Sequence, residues 1–243
     1  MARKSHDRTN GKDRILDAAE TLFAQRGFHG VSLRDITSAA GVDVALVSYH
    51  FGGKRELFTA VFDRRAEVLN RERLELLNEV RLAARPHMPS VEAIVAAFVT
   101  PLLERSARGG PGWKSYFALI AYVNNSPEFG PVMMTHSFDP LVEKFVEALR
   151  EALPSAPPRE IYWGYQFLTG SLTLTFAETG RIDTLSKGLC RSADLDSVIQ
   201  RLPTFMAAGF HALAERTQSE TPRMRIGRTR SAGKSRRRSS STP

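Results

Sequence analysis

Residues 31–54 read V-S-L-R-D-I-T-S-A-A-G-V-D-V-A-L-V-S-Y-H-F-G-G-K. Ser32 is a good helix N-cap: its hydroxyl can accept from a free backbone N–H, and Asp35 sits three residues on. Leu33, Ile36 and Ala40 then recur at helical spacing. Gly41 stops that helix, because glycine tolerates the positive φ of a tight turn. Val42 packs into the turn, Asp43 caps a second short helix, and Val47 and Phe51 face inward four residues apart. Two short helices joined by a glycine turn make a helix-turn-helix, whose second helix can enter a DNA major groove. Geometry alone fits an ordinary helical hairpin inside a bundle equally well.

Upstream, residues 12–26 carry Ile15, Ala18, Ala19, Leu22 and Phe23 on one helical face, and Gly27 ends the run. Three helices here build a small head. Downstream, Gly52-Gly53 makes a loop and Lys54 opens a long helix towards residue 84. Leu57, Phe58, Val61, Phe62, Leu69, Leu76 and Val80 keep its inner face, with charged residues over the rest. Its first half packs on the head and its second enters the next domain, so it can carry motion between them.

With R-I-L-D-A-A-E-T-L-F-A-Q-R-G-F at 14–28 and K-R-E-L-F-T-A-V-F at 54–62, the stretch strongly resembles the TetR/AcrR family of bacterial transcriptional regulators over residues 8–68. One departure is that many members carry Leu-Tyr before the His-Phe pair. This chain has Val47-Ser48-Tyr49-His50-Phe51, with the aromatic one place later. The resemblance implies an all-α fold: a three-helix DNA-binding head with a helix-turn-helix, and a larger helical domain for effector binding and dimerisation. The expected divisions are a flexible basic arm at 1–10, the head at 11–68, the larger domain at 69–215 and a disordered basic tail at 216–243.

The second helix is predicted to present Val44, Ala45, Leu46, Ser48 and Tyr49 to the groove, where apolar side chains can meet thymine methyls. By resemblance, Ser32, Arg34, Tyr49, His50 and Lys54 hold phosphates.

Beyond the long helix, R-P-H-M-P at 85–89 breaks the chain, and Ser90 caps a helix to about 108 that Pro101 kinks. From 109 to 142 the only charged residues are Lys114, Glu128 and Asp139. Asp139-Pro140 reads as a cap and first position of a helix to 152. Runs at 159–179 and 195–216 follow. The first is apolar almost all round and must be covered on more than one side. In the second, Phe205 and Phe210 lie on the apolar stripe, and Gly164, Gly170, Ala207, Ala208 and Gly209 permit close helix approach. The pair fits a two-fold homodimer interface, as the resemblance implies; the alternative is a buried pair within one monomer.

Trp113, Phe117, Met134, Phe138, Trp163 and Phe167 can line a cavity, with Lys114, His136 or Gln166 as polar anchors; a filled core is the competing arrangement. Pro157-Pro158-x4-Trp163-x3-Phe167-x2-Gly170 and Pro203-x-x-Met206-Ala207-Ala208-Gly209 are similar to the C-terminal domain of the branch with fatty-acid-responsive regulators. That implies an acyl or aromatic apolar effector.

Charge is unevenly placed along the 243 residues. The net +8 divides into +3 for 1–14, −3 for 15–215 and +8 for 216–243. The high pI reports the ends of the chain, which can grip phosphates or be merely solvated. One cysteine, Cys190, excludes an intrachain disulfide and fits a reducing cytoplasm. The sequence shows no signal-like segment and no run approaching 18 apolar residues, so membrane contact is not expected. Neither G-x-S-x-G nor H-E-x-x-H occurs, and the six histidines lack metal-ligand spacing. A-G-K-S at 232–235 is no phosphate-binding loop, since Arg228 stands where glycine is required. No catalytic residue, metal or cofactor is expected. The expected function is a repressor released from a palindromic operator by an apolar molecule. The alternative is a ligand-sequestering protein or enzyme that keeps the helix-turn-helix as scaffold.

Overall fold

Ser32 and Asp35 close a reciprocal capping box: Ser32 Oγ accepts from the Asp35 N–H at 3.1 Å, and Asp35 Oδ2 accepts from the Ser32 N–H at 2.8 Å. Gly41 ends the helix at φ 62°. Around these local signals the computed structural model describes residues 2–219, with side chains from 11 to 216. The described residues form ten helices and no strand. They are α1 (Ala2–Arg26), α2 (Leu33–Ala40), α3 (Val44–Phe51), α4 (Lys54–Ala83) and α5 (Val91–Arg108). There follow α6 (Pro111–Asn124), α7 (Gly130–Ala152), α8 (Pro158–Phe176), α9 (Arg181–Leu185) and α10 (Leu195–Ser219).

The head consists of α1, α2, α3 and the first turns of α4. Ile15, Ala19, Phe23, Ile36, Val47, Phe58 and Val61 are buried together. The Phe23 and Phe58 rings meet edge-on at 4.9 Å, a favoured aromatic geometry. The rest of α4 continues without a break into the larger part, where it packs on α5 and α7 while α10 lies along α5 and against α8. The division expected at residue 68 therefore falls inside one helix.

Two differences from the sequence expectations have physical causes. Helix α7 starts at Gly130, not Asp139, and Pro140 lies within it. Asp139 and Pro140 are exposed, so water can reach the carbonyl that the proline leaves unpaired. Helix α1 takes in residues 2–10, where a flexible arm is expected. That run contains no proline, and adding residues to an existing helix costs far less than nucleating one. The short α9 was not anticipated. The basic tail lies outside the described residues from 220 on.

Candidate nucleic-acid interface

Helix α3 is fixed at both ends. Asp43 Oδ1 accepts from the Ala45 N–H at 2.7 Å, and Gly52 closes the C-terminus at φ 87°. Arg14 of α1 donates from Nη2 to the Gly41 carbonyl at 3.1 Å, tying the turn to the first helix. That clamp was not read from the sequence, because it joins residues 27 apart with no local pattern. Val47 is fully buried and Phe51 partly so, which leaves Val44, Ala45, Ser48 and Tyr49 exposed on the outer face.

Leu46 is placed differently from its expected groove contact. It is half-buried against α1, where a Cβ added at Gly11 would come within 2.9 Å of Leu46 Cδ2. Leu46 helps seat α3 on α1, and the absence of a side chain at Gly11 makes the approach possible. Its spacing did not predict this, because α3 is apolar at too many positions for periodicity to choose a face.

The expected phosphate ligands divide as well. Arg34 is exposed on α2. The Ser32 hydroxyl is committed to Asp35, donating to Oδ2 at 2.6 Å, and these hydrogen bonds hold the Asp35 carboxyl below its usual range. His50 is half-buried, with Nε2 enclosed and lacking a hydrogen-bond partner, so that nitrogen is not offered to the outer face. Lys54 opens α4, whose N-cap Gly53 provides no side-chain cap; its Nζ stands 4.3 Å over the Phe28 ring. Free N–H groups and an ammonium at a helix start suit an anion.

The head is fastened to the larger part by ion pairs and aromatic contacts. Glu20 of α1 is buried and accepts from Arg65 Nε at 2.5 Å, Arg65 Nη2 at 2.7 Å and Arg64 Nη2 at 3.1 Å. Arg64 also donates to Asp17 at 2.8 Å. Burial works against the Arg64 charge, yet the hydrogen bonds to Asp17 and Glu20 hold it above its usual value. Trp113 of α6 lies against Arg65 and Arg105, their guanidinium carbons 4.7 and 5.1 Å from its ring. On the other flank, Glu128 accepts from Arg55 and pairs with His29, each at 2.8 Å. The Phe28 and Phe129 rings are 4.9 Å apart beneath them.

In the larger part a cavity of about 40 Å³ lies between α4, α5, α6, α7 and α8. Of the expected effector residues it includes Met134 and Phe138. Trp113 and Phe117 are buried but packed, Phe117 stacking on Phe176 at 4.6 Å. Lys114 is exposed and pairs with Glu178 at 2.9 Å. His136 and Gln166 are exposed and do not anchor the cavity. Trp163 and Phe167 stack on each other at 5.9 Å on the outside of α8, each more than half exposed. An all-round apolar helix does not reveal which side is covered by its own chain. Among the described residues no His, Cys, Asp or Glu cluster could hold a metal, and no helix is long and apolar enough to cross a membrane.

A capped helix-turn-helix with an exposed second helix, continuous with a larger helical body, is the architecture of the helix-turn-helix class of DNA-binding regulators. The model for the bacterial regulatory proteins of the tetR family matches residues 15–61. The model for the tetracyclin repressor-like C-terminal domain matches 96–209. The chain belongs to the TetR family of bacterial transcriptional regulators.

An uncharacterised HTH-type transcriptional regulator of Mycobacterium tuberculosis H37Rv is 28% identical over 162 residues, covering 66% of this chain and 73% of its own. The HTH-type regulatory protein RaaS of the same organism is 30% identical over 152 residues, covering 60% and 61%. Among solved structures, the fatty acid degradation regulator FadR from Bacillus halodurans superposes with a TM-score of 0.58 at 16% identity. It covers 82% of this chain and 95% of its own.

Proposed function

We propose that the chain acts as a homodimeric repressor that leaves a two-fold operator when an apolar small molecule, acyl chains among them, enters the larger domain. The observation that carries this reading is the continuity of α4, which runs from Lys54 beside the reading helix to the walls of the cavity. Anything that rearranges the cavity moves the element on which the head sits. The effector must bind the operator-incompetent arrangement more tightly, since equal affinity for both would shift nothing.

The dimer face we infer is the outer side of α8 and α10. Trp163, Phe167, Gly170 and Leu174 form an exposed stripe on α8, and Phe205, Ala208, Gly209 and Ala212 form one on α10. No atom lies within 4 Å of a Cβ added at Gly170 or Gly209, so a second helix can approach closely there. Phe210, expected on the same face, points the other way. It is 1% exposed, and its ring fills the space beside Gly164 of its own chain.

Fluorescence anisotropy against the DNA upstream of the chain's own gene, with and without long-chain apolar compounds, tests the reading. Specific binding relieved by at least one such compound is expected; binding with no sequence preference would sink it. In the same assay Lys54→Ala should weaken all DNA sequences together and reduce the salt slope by about one unit for each bound protomer. A changed sequence preference at an unchanged slope would remove Lys54 from the phosphate contacts.

A further inference from the structure

Arg73 lies on α4 one turn from both Leu69 and Leu77, which are buried, and it is itself only 2% exposed. Its guanidinium carbon stands 3.7 Å from the Phe98 ring centroid and 5.9 Å from that of Phe145. Stacking occupies a face of the planar fork and leaves its edge, where five N–H donors point outward, to be met by acceptors. Among the described residues the Arg73 guanidinium makes no hydrogen bond and no ion pair, and its Nε is enclosed without a partner. Other arginines of the same helix are treated differently: Arg64, Arg65 and Arg81 each hold a carboxylate.

Arg73 also lines the cavity. The walls around it are apolar at Phe98, Phe138 and Leu172 and neutral at Tyr165 and Thr169, and no carboxylate lines it. A cation taken from water into such surroundings is costly unless it is paired. The geometry points to Arg73 as the receptor for the anionic head, a carboxylate or phosphate monoester, of an amphipathic effector whose apolar body lies between these walls. This rests on the reading that the larger domain takes an effector, and it names that effector's chemical class.

Burial pushes Arg73 down to about 9, which still leaves it charged at neutral pH. Burial raises the Tyr165 hydroxyl, which therefore stays neutral and able to donate. The two groups offer donors from two helices, and no carboxylate is among the residues that line the cavity. A cavity of about 40 Å³ has room for a few water molecules at most, so an effector with a long tail has to part the helices around it. Arg73 lies on the helix that continues into the head, so seating the anion and moving the head are mechanically joined.

The probes are decanoate, decyl phosphate, 1-decanol and decyltrimethylammonium, each tested for operator release by anisotropy and for binding by calorimetry. Decanoate or decyl phosphate should bind and release the operator, and the stronger of the two identifies the head group. The alcohol should be weaker by about 30-fold or more, the scale of losing one partner of a buried charge pair, and the cation should not bind. Arg73→Met keeps the apolar volume and removes the charge, so it should abolish the preference for anions. It should also raise the ligand-free Tm, because an unpaired buried cation is gone. Arg73→Gln serves the same comparison if the methionine variant does not fold. Equal response to anion and alcohol, or an anion preference that survives Arg73→Met or Arg73→Gln, overturns the proposal and leaves the effector reading standing. No release by any of the four probes, alongside intact operator binding, counts against both.

Discussion

Phe205→Glu is expected to convert the protein to monomers and to lower operator affinity by about 10³-fold or more, towards non-specific binding. Phe205 is 73% exposed on α10, in register with Ala208, Gly209 and Ala212, and Trp163 and Phe167 are exposed on neighbouring α8. A carboxylate buried at the centre of such a face has no partner, and an unpaired buried charge costs several kcal/mol. One reading helix contacts too few bases for a long operator, so separating the protomers removes half of the recognition. Sedimentation velocity and anisotropy measure the two effects separately. A wild-type monomer with full operator affinity, or a Phe205→Glu dimer with unchanged affinity, would refute the assignment. Phe210→Glu is no substitute: its ring is internal, so that change would report on folding.

The second large effect is on stability. Glu20→Gln should lower ΔG of unfolding by about 3 kcal/mol, since removing one partner of a buried ion pair strands the other charge. Glu20 is 2% exposed and takes hydrogen bonds from both Arg64 and Arg65. The two guanidiniums keep 26% and 19% side-chain exposure, which moderates the loss, so the lower end of the usual range applies. Glutamine preserves the volume, so no cavity contributes. For a chain of this size the loss corresponds to a Tm lower by about 6–12 °C. Because Glu20 joins α1 to α4, the proposed effector-driven release should weaken at the same time. An unchanged melting temperature would mean that the aromatic contacts alone hold this seam.

What the sequence made legible was local. Ser32, Asp35, Gly41, Asp43 and Ser90 are caps whose partners lie within a few residues, and each forms as read. The outer face of α3 was legible at Val44, Ala45, Ser48 and Tyr49, because Val47 and Phe51 fix the inner face. The failures share one cause, in that they depend on what lies opposite. Leu46 turns to α1 because Gly11 leaves space there. Trp163 and Phe167 turn outward because Phe210 occupies the other side of α8. By residue type Arg73 reads as one of the solvated charges of α4, although its spacing of four from Leu69 and from Leu77 places it on the buried stripe. That spacing was the available signal, and the residue type obscured it.

Helix α4 also sets a scale for motion. Nineteen positions separate Arg73 from Lys54, which at about 1.5 Å per residue is an arm of about 28 Å. A swing of about 5° centred near Arg73 carries Lys54 through an arc of about 2.5 Å over that arm. In a two-fold dimer both arms swing, so the reading heads change separation by up to about 5 Å, against a groove repeat of about 34 Å. In the proposed dimer, a swing of this size about Arg73 would therefore offset the two recognition helices by an appreciable fraction of the groove repeat.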